Sequence, residues 1–115
     1  MVIGGSFPLL PAPATAASGM AAAEVRLSVA AHNVANANTE GFRPLAVVSE
    51  EAVHGGVRAR VVAAAPALGA TAPPPGVDLG QETVDVIAAR ALYMTNARML
   101  QRSREMERSL LDLLG

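Results

Sequence analysis

The sequence predicts a mainly α chain: two long N- and C-terminal helices pair as an antiparallel, coiled-coil-like hairpin, with a small β-hairpin and a Pro-rich linker between them. Three observations carry this expectation. The eight prolines, at 8, 11, 13, 44, 66, 73, 74 and 75, leave two long proline-free windows, 14–43 and 76–115. In the first window apolar residues recur at alternating spacings of three and four, which is a helix seam. The middle instead alternates Val57, Arg58, Ala59, Arg60 and Val61, as a half-exposed strand does. The boundaries that follow are a Pro/Ala-rich lead over 1–14, a helix with its terminating loop over 15–43, a β-hairpin and linker over 44–76, and a second helix over 77–115.

In the first helix Thr15 is the expected N-cap, its hydroxyl accepting from a free amide of the first turn. Met20, Ala23, Leu27, Ala30, Val34 and Ala37 then form the seam. With Leu27 at zero and about 100° per residue, Met20 and Val34 fall within about 20° of it, while Val25 and Val29 lie about 160° away. A helix apolar on opposite sides cannot be satisfied by one partner. The second helix covers one side at most, which implies a partner outside the chain for the other. Asn36, Asn38 and Gly41 stop the helix, because these residues tolerate left-handed backbone.

Short strands are expected over 45–48 and 57–62, turning around Gly55-Gly56. A two-stranded hairpin alone is marginal in water, so it needs support. Residues 63–76 read as a semi-rigid linker. In the second helix Asp78 caps the free amides and Gln81 is placed to reach back, a variant of the capping box. Neither Gly nor Pro interrupts 81–114, so the helix reaches roughly 50 Å. Val84, Ile87, Ala91 and Met94 form one apolar stripe on it; Leu92, Met99, Met106, Leu110 and Leu113 form another.

Composition bounds the function. The 115 residues fit one small domain. Half the chain is hydrophobic, yet only 3% is aromatic (Phe7, Phe42 and Tyr93) and 24 residues are alanine, so a large core is not expected. A two-helix chain this poor in large side chains orders fully only in company. With no cysteine, disulfides, thiolate zinc sites and cysteine nucleophiles are excluded. The net charge of −1, with arginine as the sole basic residue, lacks the basic excess of a nucleic-acid binder. The uncharged runs 1–23 and 61–77 are broken by Pro and Gly, so neither is read as a membrane span. No Lys or Arg precedes the apolar part of the first, so it is not read as a secretory signal.

Candidate chemistry is sparse. His32 and His54 are the only histidines and have no carboxylate cluster nearby, so no metal or other cofactor is expected. Ser28 and His32 share a helix face without a third, orienting acid, and Gly55-Gly56 lacks the spacing of a phosphate loop. Glu50-Glu51 reads as a solvated turn. Arg98, Arg102, Arg104 and Arg108, interrupted by Glu105 and Glu107, read as salt-bridging between neighbouring helices. The chain is not expected to be an enzyme or to take a small-molecule substrate.

Residues 27–43, LSVAAHNVANANTEGFR, resemble the N-terminal signature of the flagellar axial proteins, the family of basal-body rod, hook and hook-associated subunits. The residues in place are Asn33, Val34, Ala35, Asn36, Asn38, Thr39, Gly41, Phe42 and Arg43. Residues 77–101 resemble the family's C-terminal helix, with Tyr93 followed by Asn96. Within the family the short middle and the VDLGQE opening are most similar to rod subunits of the proximal type. The resemblance implies a structural subunit of the basal-body rod, the axle that transmits torque. It implies partners in this chain itself, in other rod subunits and in the flagellar type III export apparatus, and a periplasmic place reached without signal cleavage. Met20, Leu27, Val34, Val25, Val29, Ile87, Met94, Met99 and Leu110 are the candidate assembly and seam residues. The alternative from another class is a soluble helical-hairpin adaptor that stops at a small closed oligomer.

Overall fold

A computed structural model describes residues 13–53, 55–64 and 76–115. Residues 1–12, His54 and the segment 65–75, which holds most of the expected linker, lie outside the described residues. Helix α1 spans Pro13–Ala35, strands β1 and β2 span Leu45–Glu51 and Val57–Ala63, and helix α2 spans Leu79–Leu114. The chain is mainly helical, with a small antiparallel hairpin between the two helices.

Helix α1 starts before the expected Thr15 cap. Pro13 opens it, since its fixed φ suits the first helical position and its missing N–H would be unpaired there anyway. Thr15 sits inside the first turn, where its carbonyl accepts from the Ser18 hydroxyl at 2.7 Å. The α2 cap forms as expected: Asp78, in extended backbone, accepts from the Gln81 amide at 3.1 Å. The return half of the capping box does not form. The Gln81 side chain turns forward to donate to Asp85 at 3.0 Å, one helical turn on. The 36 residues of α2 give a rod of about 54 Å.

The hairpin pairs Leu45 with Ala63 and Glu51 with Val57, closing through a turn in which Gly55 and Gly56 both take positive φ. Glu50 and Glu51 are therefore strand residues and not a turn. They are solvated, and Glu50 takes the Arg60 guanidinium at 2.9 Å. Leu45 lies beside Asn33, and Val57 donates its N–H to Ser18 at 3.0 Å, so the hairpin runs along α1.

Early α1 meets the middle of α2 and late α1 meets the start of α2. Gly19 faces Asn96, and Asn33 bonds Glu82 at 2.9 Å. Both contacts step 14 residues on each helix, which is two heptads. The core between them is small-sided: Ala16, Ala22, Ala23, Val29, Ala30 and Ala89 are buried, with Asn33 and Ser103.

The covered arc of α1 is rotated from the expected seam. It holds Ala16, Gly19, Ala22, Ala23, Arg26, Val29, Ala30 and Asn33, so of the expected seam it includes Ala23 and Ala30, and its centre lies about 90° from Leu27. Leu27 at 39% and Val34 at 45% exposure stand outside it. Small residues win the interior because they let the two backbones approach, as the Gly19–Asn96 contact requires.

Candidate assembly surface

The expected N-terminal signature folds into one continuous device. Asn33 is its centre, with 1% exposure, and is the largest fully buried side chain among the described residues. Its Nδ2 donates to the Leu45 carbonyl at 2.9 Å and to Glu82 Oε1 at 2.9 Å, and its Oδ1 accepts from the Leu45 amide at 2.8 Å. One amide thus joins α1, β1 and α2, with both donors and an acceptor used. No aliphatic side chain can replace it, because Leu45 would be left with an unpaired N–H and C=O.

Downstream, the signature ends the helix. Asn36 Nδ2 donates to the His32 carbonyl at 2.9 Å, and Asn36 Oδ1 accepts from the Thr39 hydroxyl at 3.2 Å. The Phe42 amide closes onto the Thr39 carbonyl at 3.1 Å, and Gly41 between them takes φ +76°. The Phe42 ring then folds back edge-on to His32, with centroids 5.4 Å apart. Ala35, Asn38 and Arg43 of the same signature are exposed, and Asn38 makes no hydrogen bond among the described residues.

The C-terminal pair sits on α2 opposite early α1. Asn96 is half-buried and donates to the Leu92 carbonyl at 2.9 Å, which holds its amide against Gly19. Tyr93 lies at the rim of a shallow notch beside Ala23, Leu27 and Met94. Glu82, Ala89, Asn96 and Ser103 recur every seven residues on α2 and lie on its covered side, as do Gly19, Arg26 and Asn33 on α1.

The large apolar side chains point away from this seam. Ile87, Met94, Met99 and Leu110 are exposed on α2, Met20 and Val25 are half-buried on α1, and Val29 is buried. Beyond Ser103, residues 104–114 of α2 are exposed, including Met106, Leu110, Leu111, Leu113 and Leu114. Scattered apolar residues are normal on a surface; a row of them on one bare helix end is the mark of a contact site. Arg98, Arg102, Arg104 and Arg108 form no ion pair among the described residues.

An open groove of about 800 Å³ runs over α1 between the hairpin and α2, with Val29 and Arg26 on its floor and Asp85 and Leu92 on its far wall. Arg26 donates across it to the Ser49 hydroxyl. No described helix is long and apolar enough to cross a membrane.

Residues 14–43 match the family model described as flagella basal body rod protein. No curated protein matches the chain. The rod-family match covers α1 and its terminating loop, so it contains Asn33, Asn36, Thr39, Gly41 and Phe42 and stops before the hairpin. It supports a component of the flagellar basal-body rod and does not separate one type of rod subunit from another. Sequence reasoning missed Gly19, Ser18 and Glu82. The signal for the first and last was present as seven-residue spacing, Gly19 to Arg26 to Asn33 and Glu82 to Ala89 to Asn96.

Proposed function

We propose that this chain is a structural subunit of the bacterial flagellar basal-body rod, of the proximal type. The observation that carries this reading is that the matched segment, 14–43, is the one whose central asparagine ties both helices and the hairpin together. A rod subunit needs a stiff body and spare apolar surface. The long α2, the covered heptad positions and the two polar contacts supply the body, as an antiparallel coiled-coil-like hairpin. Leu27 and Val34 on α1, with Ile87, Met94, Met99 and Leu110 on α2, supply the surface through which copies and other rod subunits stack. In this role the chain passes through the flagellar type III export apparatus to the periplasm and transmits torque as part of the axle.

A clean deletion in the source bacterium, scored for swimming and for flagella by electron microscopy, tests this. Loss of both is expected, restored by the intact gene and not by a Leu27→Asp/Val34→Asp version. Normal motility without a second gene copy overturns it.

A further inference from the structure

Among the described residues both edges of the hairpin are open, and their chemistry is opposite. The phase of its ladder follows from two bonds: the Ala52 amide donates to the Gly56 carbonyl at 3.0 Å, and the Ala64 amide to the Pro44 carbonyl at 3.0 Å. In an antiparallel pair the hydrogen-bonded rungs alternate, so even-numbered residues point their N–H and C=O inward, and odd-numbered ones point them outward. Two outward positions are occupied from within the chain. Asn33 takes both groups of Leu45, and Ser18 takes the Val57 N–H. Val47, Ser49 and Glu51 on β1, and Ala59, Val61 and Ala63 on β2, direct their backbone groups outward with no hydrogen-bond partner among the described residues.

Neither strand carries proline or lysine to blunt its edge, and a two-stranded hairpin gains stability from a third strand. The charges select the occupant. β1 ends in Glu50 and Glu51, while β2 carries Arg58 and Arg60. Paired antiparallel over their full length, two β1 edges set Glu50 and Glu51 opposite Ala46 and Leu45 with no cation to meet them, and two β2 edges set Arg60 against Arg60. A β1 edge beside a β2 edge continues the alternation that the Arg60–Glu50 pair begins inside one hairpin. We infer that the open β1 edge of one copy takes the open β2 edge of a second copy, joining hairpins into a continuous antiparallel sheet. The contact is heterologous, so a joined pair still has one β1 edge and one β2 edge free and the sheet extends without closing on itself. This deepens the rod-subunit reading, which supplies the many copies.

The cysteine-free chain makes the test direct. Full-length chains carrying Ser49→Cys are mixed with chains carrying Ala59→Cys or Val61→Cys, oxidised, and run on a denaturing gel. The mixed sample is expected to give a cross-linked dimer that neither parent gives alone. A swapped background, Glu50→Arg/Glu51→Arg/Arg58→Glu/Arg60→Glu, keeps the intrachain pair with its signs exchanged. Swapped chains are expected to cross-link with swapped chains and, against wild-type chains, to lose about tenfold in yield. Equal yields in every charge combination overturn the edge contact. So does absence of the mixed dimer in cells that co-express both cysteine variants and swim, and that result leaves the rod reading standing. If the deletion strain swims normally, the rod reading falls, and the purified mixture still decides the edge contact.

Discussion

Gly19 and Asn96 occupy one space: a Cβ on the glycine would lie 2.5 Å from the asparagine Oδ1 and 2.6 Å from its Cγ. In a free helix Gly costs about 1 kcal/mol relative to Ala, so its presence inside α1, two turns from the start, requires a reason. That reason is the amide opposite, which is held in place by its own bond to the Leu92 carbonyl.

Gly19→Ala is therefore expected to bring no thermal stabilisation, despite its gain of about 1 kcal/mol in helix propensity. Combined with Asn96→Ala the same change becomes stabilising. A double-mutant cycle on melting curves should show coupling of roughly 1 kcal/mol or more between the two sites. Additive effects would mean that the helices do not approach closely at this point.

Asn33→Leu removes three hydrogen bonds at once and leaves the Leu45 amide and carbonyl unpaired. At roughly 1–3 kcal/mol for each buried group left without a partner, the loss is large for so small a domain. Urea unfolding followed by circular dichroism should show a clear drop in midpoint. Val34→Ala, next to it but exposed, is expected to shift stability by no more than about 0.5 kcal/mol.

Gly41→Ala isolates backbone strain. Nothing stands within 4 Å of a Cβ placed there, so sterics with neighbours are absent among the described residues and only the φ of +76° opposes the change. The expected cost is about 1–2 kcal/mol, read from the same unfolding curves. A silent substitution would show that the signature loop readily adopts another turn.

Removing residues 104–115 separates folding from assembly. Helix α2 loses its exposed apolar end, including Leu113 at 83% exposure, while the Gly19–Asn96 and Asn33–Glu82 contacts stay. The truncated chain is expected to keep the melting temperature of its hairpin and to fail in complementing motility. A collapse of the melting transition would place the C-terminal end in the fold.

The two helices, the hairpin and the Asp78 cap were legible from the sequence, because proline positions, strand alternation and capping chemistry act locally. The signature stop was legible in part: Gly41 takes the expected positive φ, whereas Asn36 acts through its side chain and neither it nor Asn38 is in left-handed backbone. The face of α1 that turns inward was not. Large apolar residues usually mark the buried side, and here Leu27 and Val34 face out while alanines and Gly19 face in. Nothing local to Asn33 indicates that its amide meets Glu82, since that contact exists only once two distant segments are packed.

That separation has a consequence in time. Asn33 precedes the carboxylate it binds by 49 residues, and Leu45 alone can engage only part of its amide. Closing so long a span is slow compared with helix growth, so the order in which segments become available decides when the node forms. A chain presented from its N-terminus carries an unfinished latch until its last third arrives. The segment that the rod family model recognises thus emerges well before the residue that locks it.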